Sequence, residues 1–547
     1  MLNPTLTRKT ENTLTITENT KKLFQAIYRE QKEEARVDDE IPKIKVSALI
    51  SKMAFYYEKI RNAIDYKEEQ LLRKNAIERI LKRQIVIEGA IKELKSEEMA
   101  KYLLTELIRA GYLPNNKIPE DKIYEISQVI NKYIKLKNYT LVCIKNGNKI
   151  KNETVSWIIT MAACDIEERL NKNIVNQTVI SNMYEILNFN IKLPENSQYQ
   201  QDKKIQIYLS IHRNLLKFDN EMLEFILFKY FNNSWQEEIK QERTKDEEIT
   251  KLAQNITVLR KAIDKQINHP LAGQFNRIIS RYTVFFTVLI DVIADDPAGV
   301  YNDFKADPKA FPRQIKKICG RKYKQAHSKL WRAAMRSIIY IFLTKSIFVI
   351  LLEIPAIKWF GEEINLSSLT INIGFPAFLL FLIVLFTKLP SEDNSKKIIE
   401  GINEIVFEEK TRKEPFGLKK AIRRNKLMNA IFGIIYIITF FLSFGLIIWA
   451  LGKIGFTWIS TIIFLFFLAL VSFFGIRIRK GAHELIITEP KENIFNFIAD
   501  FFYTPIVAAG KWLSEKFSRI NLFIFILDFI IEAPFKIFVE ITEEWTK

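Results

Sequence analysis

The sequence predicts an all-α protein: a helical soluble N-terminal region, then a four-span transmembrane helical region, then C-terminal interfacial amphipathic helices. Three observations predict it. Before about position 290 apolar residues recur at helical spacing between Lys, Glu and Asn. After position 337 the chain turns to mostly apolar stretches long enough to cross a bilayer, and Phe crowds there. Basic residues flank those stretches in the alternating pattern of a multipass protein.

Composition narrows the alternatives. A chain of 547 residues that is 48% hydrophobic and 12% aromatic can bury more than one core, which excludes disorder throughout. The net charge of +18 fits either a nucleic-acid partner or the cytoplasmic loops of a membrane protein. Its position decides: much of it lies beside the apolar segments, and no interleaved basic and aromatic stacking motif is present, so no nucleic acid is expected. Cys143, Cys164 and Cys319 lie far apart and form no CxxC pair, so free thiols are expected rather than disulfides or a thiolate zinc site.

Residues 1–43 open with MLNPTLTRKTENTLTITENT, which has no apolar core of signal-peptide type and reads as a mostly disordered tail. Residues 44–293 form the helical cytoplasmic domain. Helices are predicted at Ile44 to Tyr66, Leu71 to Leu94, Ser96 to Ala110, Asp121 to Lys135, Ser156 to Leu170, Val175 to Leu187, Ile205 to Leu216 and Glu221 to Phe231. TLVCIKNGNKIK, with its Asn-Gly, hints at a hairpin. Between Trp235 and His269, Ile249, Leu252, Ile256, Leu259 and Ile263 alternate three and four apart, as in a coiled-coil seam; two heptads fit either an arm packed on its own domain or a self-associating coil. TVFFTVLIDVIA is too short to span and reads as a core helix.

Residues 294–336 are a linker and basic juxtamembrane helix, with the Pro- and Asp-rich 294–312 expected to be a loop. The spans are Ser337 to Phe360, Ile371 to Thr387, Met428 to Ala450 and Phe456 to Ile476, within a transmembrane region 337–480. Arg313, Lys316, Lys317, Arg321, Lys322, Lys324, Lys329, Arg332 and Arg336 precede the first span and place that end in the cytoplasm; they are also candidate contacts for anionic lipid head groups. The connection Gly361 to Thr370 carries Glu362 and Glu363 and no base, whereas Lys388 to Leu427 holds eleven Lys or Arg. The signs alternate as an N-in and C-in protein of a cytoplasmic (inner) membrane requires. In residues 481–547 the faces of 494–515 are amphipathic, so an interfacial helix is expected, and Asn521 to Ile531, ended by Glu532 and Pro534, reads as a second interfacial or re-entrant segment.

The stretches AFYYEKIRNAIDYKEEQLLRKNAIERILKR, YIFLTKSIFVILLEIP, INIGFPAFLLFLIVLF and FSRINLFIFILDFIIEAPFK resemble an uncharacterised family of multipass membrane proteins from candidate-phyla bacteria with reduced genomes. The likeness runs from about Val46 to Val539. It implies one continuous architecture in a bacterial cytoplasmic membrane, and no activity, cofactor or catalytic residue.

The sharpest chemical anomaly is Lys345 and Glu353 inside the first span, because an ionisable group there costs a few kcal/mol unless it faces protein, water or a partner. On an ideal helix they stand about 80° apart around the axis and about 12 Å along it, sharing a side without touching. Either they form an intramembrane polar pair or they snorkel to the interface. Asp528 and Glu532, four apart, share a helix face, but with Lys536 a further four on an internal salt bridge is the simpler reading. Asp291, Asp295, Asp296, Asp303 and Asp307 lack the spacing of a calcium loop, and His212, His269, His327 and His483 are isolated. No catalytic, cofactor-binding or metal site is expected. The best reading is a membrane-anchored scaffold or adaptor, bound to the lipid bilayer and to a protein partner or a second copy through its helical cytoplasmic region. The alternatives are a transporter or channel component using Lys345 and Glu353, and a membrane enzyme acting on lipid or envelope precursors.

Overall fold

The computed structural model describes residues 16–34, 41–47, 51–52, 54–56, 58–59, 69–87, 95–144, 147–171, 173–195, 197–232, 235, 242–306, 310–388, 390–407, 415–419, 426–487 and 494–519. The fold is all-α, with four helices long and apolar enough to cross a membrane in the C-terminal half. The chain divides into two compact units, one built mainly from residues 16–283 and the other from 284–407 and 422–522. The boundary falls ten residues before the expected linker, because Phe285 closes against Gly401 and so joins the second unit's core.

The first unit begins with α1 (Glu18–Glu34), where a tail was expected. Leu23, Phe24, Ala26 and Ile27 form one apolar stripe on an otherwise charged helix, and burying them is what orders it. There follow α2 (Glu69–Lys82), α3 (Ser96–Arg109), α4 (Asp121–Cys143), α5 (Asn148–Leu170), α6 (Ile174–Asn190), α7 (Lys203–Leu215), α8 (Asn220–Phe231), α9 (Glu242–Ile267) and α10 (Ala272–Asp295). Of the helix expected over Ile44–Tyr66, residues 44–47 are not helical, following the bridge of Lys43 to Pro119, the described residues between 51 and 59 are helix, and 60–66 lie outside the described residues. The Asn-Gly segment makes no hairpin: α4 ends at Cys143, Gly147 takes φ +69°, and α5 starts at Asn148. Asn173 and Asp219 cap α6 and α8, each side chain accepting a backbone N–H at 2.7 and 3.0 Å, a contribution of about 1 kcal/mol apiece.

One core runs through α2, α3, α4, α5, α8 and α9, with Leu103, Leu107, Ile126, Cys164, Phe225 and Phe228 fully or almost fully enclosed. The heptad-like residues of α9 belong to it: Ile249, Ile256 and Ile263 are buried, so the seam packs on its own domain. Regular strand among the described residues is the two-residue parallel pairing of β1 (Ile191–Lys192) with β2 (Phe416–Gly417).

Lys74 is fully buried at the centre of this core, paired with Asp219 at 3.2 Å and with Glu221. Burial alone pulls its ammonium down, but Asp219 and Glu221 outweigh that and hold it above its ordinary value, so it stays charged. Beside it Arg73 grips Glu167 through two bonds of 2.6 and 2.7 Å. Charged pairs thus tie α2 to α5 and α8.

In the second unit, 297–306 is helix rather than loop. Asp296 accepts the Gly299 N–H at 2.9 Å, and Pro297 opens α11 (Pro297–Ala306), where a missing N–H costs nothing. The next helix, α12 (Ala310–Phe348), passes through a π-helical turn, Val349–Glu353, into α13 (Ile354–Trp359), giving 50 residues, about 75 Å, of continuous helix. The other elements are α14 (Leu366–Leu385), α15 (Glu392–Phe407), α16 (Lys426–Lys453), α17 (Trp458–Ala482) and α18 (Ile494–Arg519). The four spans are the second half of α12 with α13, and α14, α16 and α17.

Their outward faces are apolar. Only 11% of the most apolar window of α16 is buried, so Ile434, Ile438, Phe441 and Trp449 present an apolar surface of the kind a lipid environment suits. Between the spans aromatic rings interlock, Phe348 on Phe467 at 5.2 Å and Phe375 on Phe464 at 5.1 Å. The segment 494–515, expected to be an amphipathic helix, is helical and packs on the spans. Ile506 of α18 joins a core with Leu451, Phe464 and Leu468, and Gly510 meets the backbone of Ala469, near the middle of α17. The segment 521–531 lies outside the described residues.

Candidate functional site

The site is built where α12, its π turn, α14 and α17 meet. A π turn closes its hydrogen bonds i→i+5 and rotates less per residue than an α turn, so it removes much of the offset between Lys345 and Glu353 that an ideal helix would impose. The two residues, expected not to touch, lie with Lys345 Nζ 3.9 Å from Glu353 Oε2, and both side chains have zero exposure. Snorkelling is thereby excluded: neither group reaches an interface.

Two neighbouring spans complete the cluster. Asn372 of α14 donates its Nδ2 hydrogen to Glu353 Oε1 at 2.5 Å, and Ser460 of α17 donates its hydroxyl to the same oxygen at 2.7 Å. Lys345 Nζ sits 4.0 Å from the centre of the Phe467 ring, whose negative face is a fitting surface for an ammonium. One carboxylate therefore links three spans. Lys345 Nζ, Glu353 Oε2 and Asn372 Oδ1 are buried without a hydrogen-bond partner among the described residues, the first two meeting as an ion pair.

Ser460 is placed there by the end of its helix. Thr457 caps α17 by accepting the Ser460 N–H at 3.2 Å, and Asn365 caps α14 through Ser367 and Ser368. Asn372 and Ser460 then lie about 10 Å or less along their helices from the end formed by Phe360 and Gly455. At that end a cavity of about 490 Å³ opens, bordered by Glu362, Glu363, Asn365 and Thr457. Neither Asn372 nor Ser460 was singled out from the sequence. The signal was present: Asn372 is the one amide inside an otherwise apolar span, and an amide there needs a partner.

The nine bases expected to meet lipid lie along α12. All but the half-buried Lys322 are exposed, yet three of them already meet carboxylates: Lys316 with Glu392 at 3.1 Å, Arg321 with Asp295 at 3.1 Å, and Lys322 with Asp291. This disperses the acidic run. Asp291 and Asp295 hold bases, and Asp296 caps α11. Among the described residues no group of three His, Cys, Asp or Glu is placed to hold a metal ion. Asp528, Glu532 and Lys536 lie outside the described residues.

No family model matches the chain, and no curated protein or solved structure does either.

Proposed function

We propose that this multipass membrane protein is a membrane-anchored scaffold or adaptor, set in a bacterial cytoplasmic membrane with both termini inside, whose helical region 16–283 holds a protein partner or a second copy. The observation that carries this reading is the closure of the intramembrane charges on one another. Lys345, Glu353, Asn372 and Ser460 hold α12, α14 and α17 together with no exposed atom, which makes them a device for fixing the bundle. The region 16–283 has its own core and a polar exterior, as an adaptor's binding module needs. The bases of α12 support the orientation and add attraction to anionic head groups of about 1 kcal/mol each, less where a carboxylate already engages them.

The test is purification of the full chain in mild detergent. A protein partner or second copy retained at fixed stoichiometry, and retained equally by the Lys345→Leu, Glu353→Gln double variant, supports the adaptor. A monomer that copurifies with lipid or ions alone overturns it. A second reading, a transporter or channel component, is favoured by the buried intramembrane pair itself, by Asn372 Oδ1, which makes no hydrogen bond among the described residues, and by the acidic cavity at the near end. Proton or cation flux in proteoliposomes, abolished by Glu353→Gln, would select it.

A further inference from the structure

The first unit carries a cleft of about 570 Å³ lined by α2, the end of α5, α6, α7 and α8, a volume in the range of small-molecule sites. One side is a run of rings. Tyr184 meets Tyr208 at 6.2 Å, Tyr208 meets His212 at 4.4 Å, and His212 meets Phe218 at 5.8 Å. The same helix as Tyr184, α6, brings the amides of Asn176 and Gln177 from its first turn to the lining. The lining carries two carboxylates, Glu167 and Glu168, and two bases, Lys204 and Lys229, so its formal charges cancel, and Glu168 receives Lys229 with both oxygens within reach of the ammonium.

His212 gives the cleft a defined polarity. Its Nδ1 lies 2.9 Å from the Tyr208 carbonyl oxygen and must therefore carry the proton, which leaves Nε2 as an acceptor. Burial above all, with Lys229 nearby, pulls the imidazole down to about 4 against the bond to Tyr208, so the ring is neutral at neutral pH. A cleft with aromatic faces, one fixed acceptor, amides that both donate and accept, and no net charge suits a flat, uncharged ring whose edge carries donors and acceptors together.

From this geometry we infer that the cleft is a binding site for a nucleobase-type heterocycle, presented as a free base or nucleoside, with the ring against Tyr184 and Tyr208 and its edge on His212 and Gln177. A phosphorylated ligand is disfavoured because the lining has no surplus of base and no arginine: its two lysines are matched in number by two carboxylates. The assignment stands independently of the adaptor reading.

The experiment uses the full chain in detergent and measures binding of adenosine, guanosine, cytidine and uridine by equilibrium dialysis, with ribose and indole as comparators. At least one nucleoside is expected to bind saturably below about 1 mM while ribose does not, with affinity falling about tenfold, one hydrogen bond's equivalent, in His212→Phe and in Gln177→Leu. Gln177 is exposed, so its variant tests the site even where the buried His212 variant fails to fold. The inference is overturned if no nucleoside saturates in that range, if indole displaces the nucleoside equally well, or if the folded Gln177 variant binds as the parent does.

Discussion

Glu353 accepts the hydroxyl of Ser460, 107 residues further along the chain, at 2.7 Å, and through that bond the first span is fastened to the fourth. Because the same carboxylate oxygen also takes the Asn372 amide, each member of the cluster is exposed by the loss of another.

Removing one charge should therefore hurt more than removing both. Lys345→Leu leaves a buried carboxylate with no counter-charge, and Glu353→Gln leaves a buried ammonium with only the Phe467 face, each costing about 1 to 3 kcal/mol. The thermal midpoint in detergent is expected to fall in both single variants and to recover in part in the double. Equal midpoints for all three and the parent would show that the pair contributes nothing.

A contrast of burial applies in the first unit. Lys74→Met leaves Asp219 and Glu221 without their buried partner and is expected to lower stability by about 3 kcal/mol. Lys135→Met breaks a half-exposed pair with Asp246 and should cost less than about 1 kcal/mol. Denaturant unfolding of the full chain, followed by Trp157 and Trp235 fluorescence, ranks the two.

His212 makes the first unit acid-sensitive. Its folded value of about 4 lies below the unfolded 6.5, so between those values the unfolded chain takes up a proton that the folded one refuses. Stability is expected to decline as pH falls from about 6.5 to 4, by about 3 kcal/mol from this residue, with no contribution above that window. In His212→Phe the decline over that window should be shallower by that amount; an unchanged slope refutes the assignment.

The proposed orientation predicts that protease added outside intact cells leaves the region before α12 uncut. Recovery of fragments from residues 16–283 with unbroken cells reverses it.

The architecture was readable because two solvents leave different sequence patterns. The runs Met428 to Ala450 and Phe456 to Ile476 each match a described span within a few residues, since bilayer thickness sets their length. Lys345 and Glu353 stood out by the same rule. Their mutual contact did not, because the spacing was converted to an angle at the α-helical rate, and nothing in VILLE announces a π turn. The helix α1 was missed because four apolar residues in a charged segment are a weak signal without the groove that receives them. The cleft, with lining from five helices and about 160 residues of chain, has no local pattern at all.

Gly510 has no side chain where α18 crosses α17: a carbon built there would fall 1.9 Å from the Ala469 carbonyl oxygen. Small residues permit such backbone approach between helices in lipid. The consequence concerns the order of events during biosynthesis. The groove that receives α18 is formed by α16 and α17, with Leu451 and Leu468 in its floor, so it exists only once both are in place. Docking of 494–519 is then a closing step that reports whether the preceding spans have been assembled correctly, and a bulky residue at 510 would leave that segment undocked on a bundle already inserted.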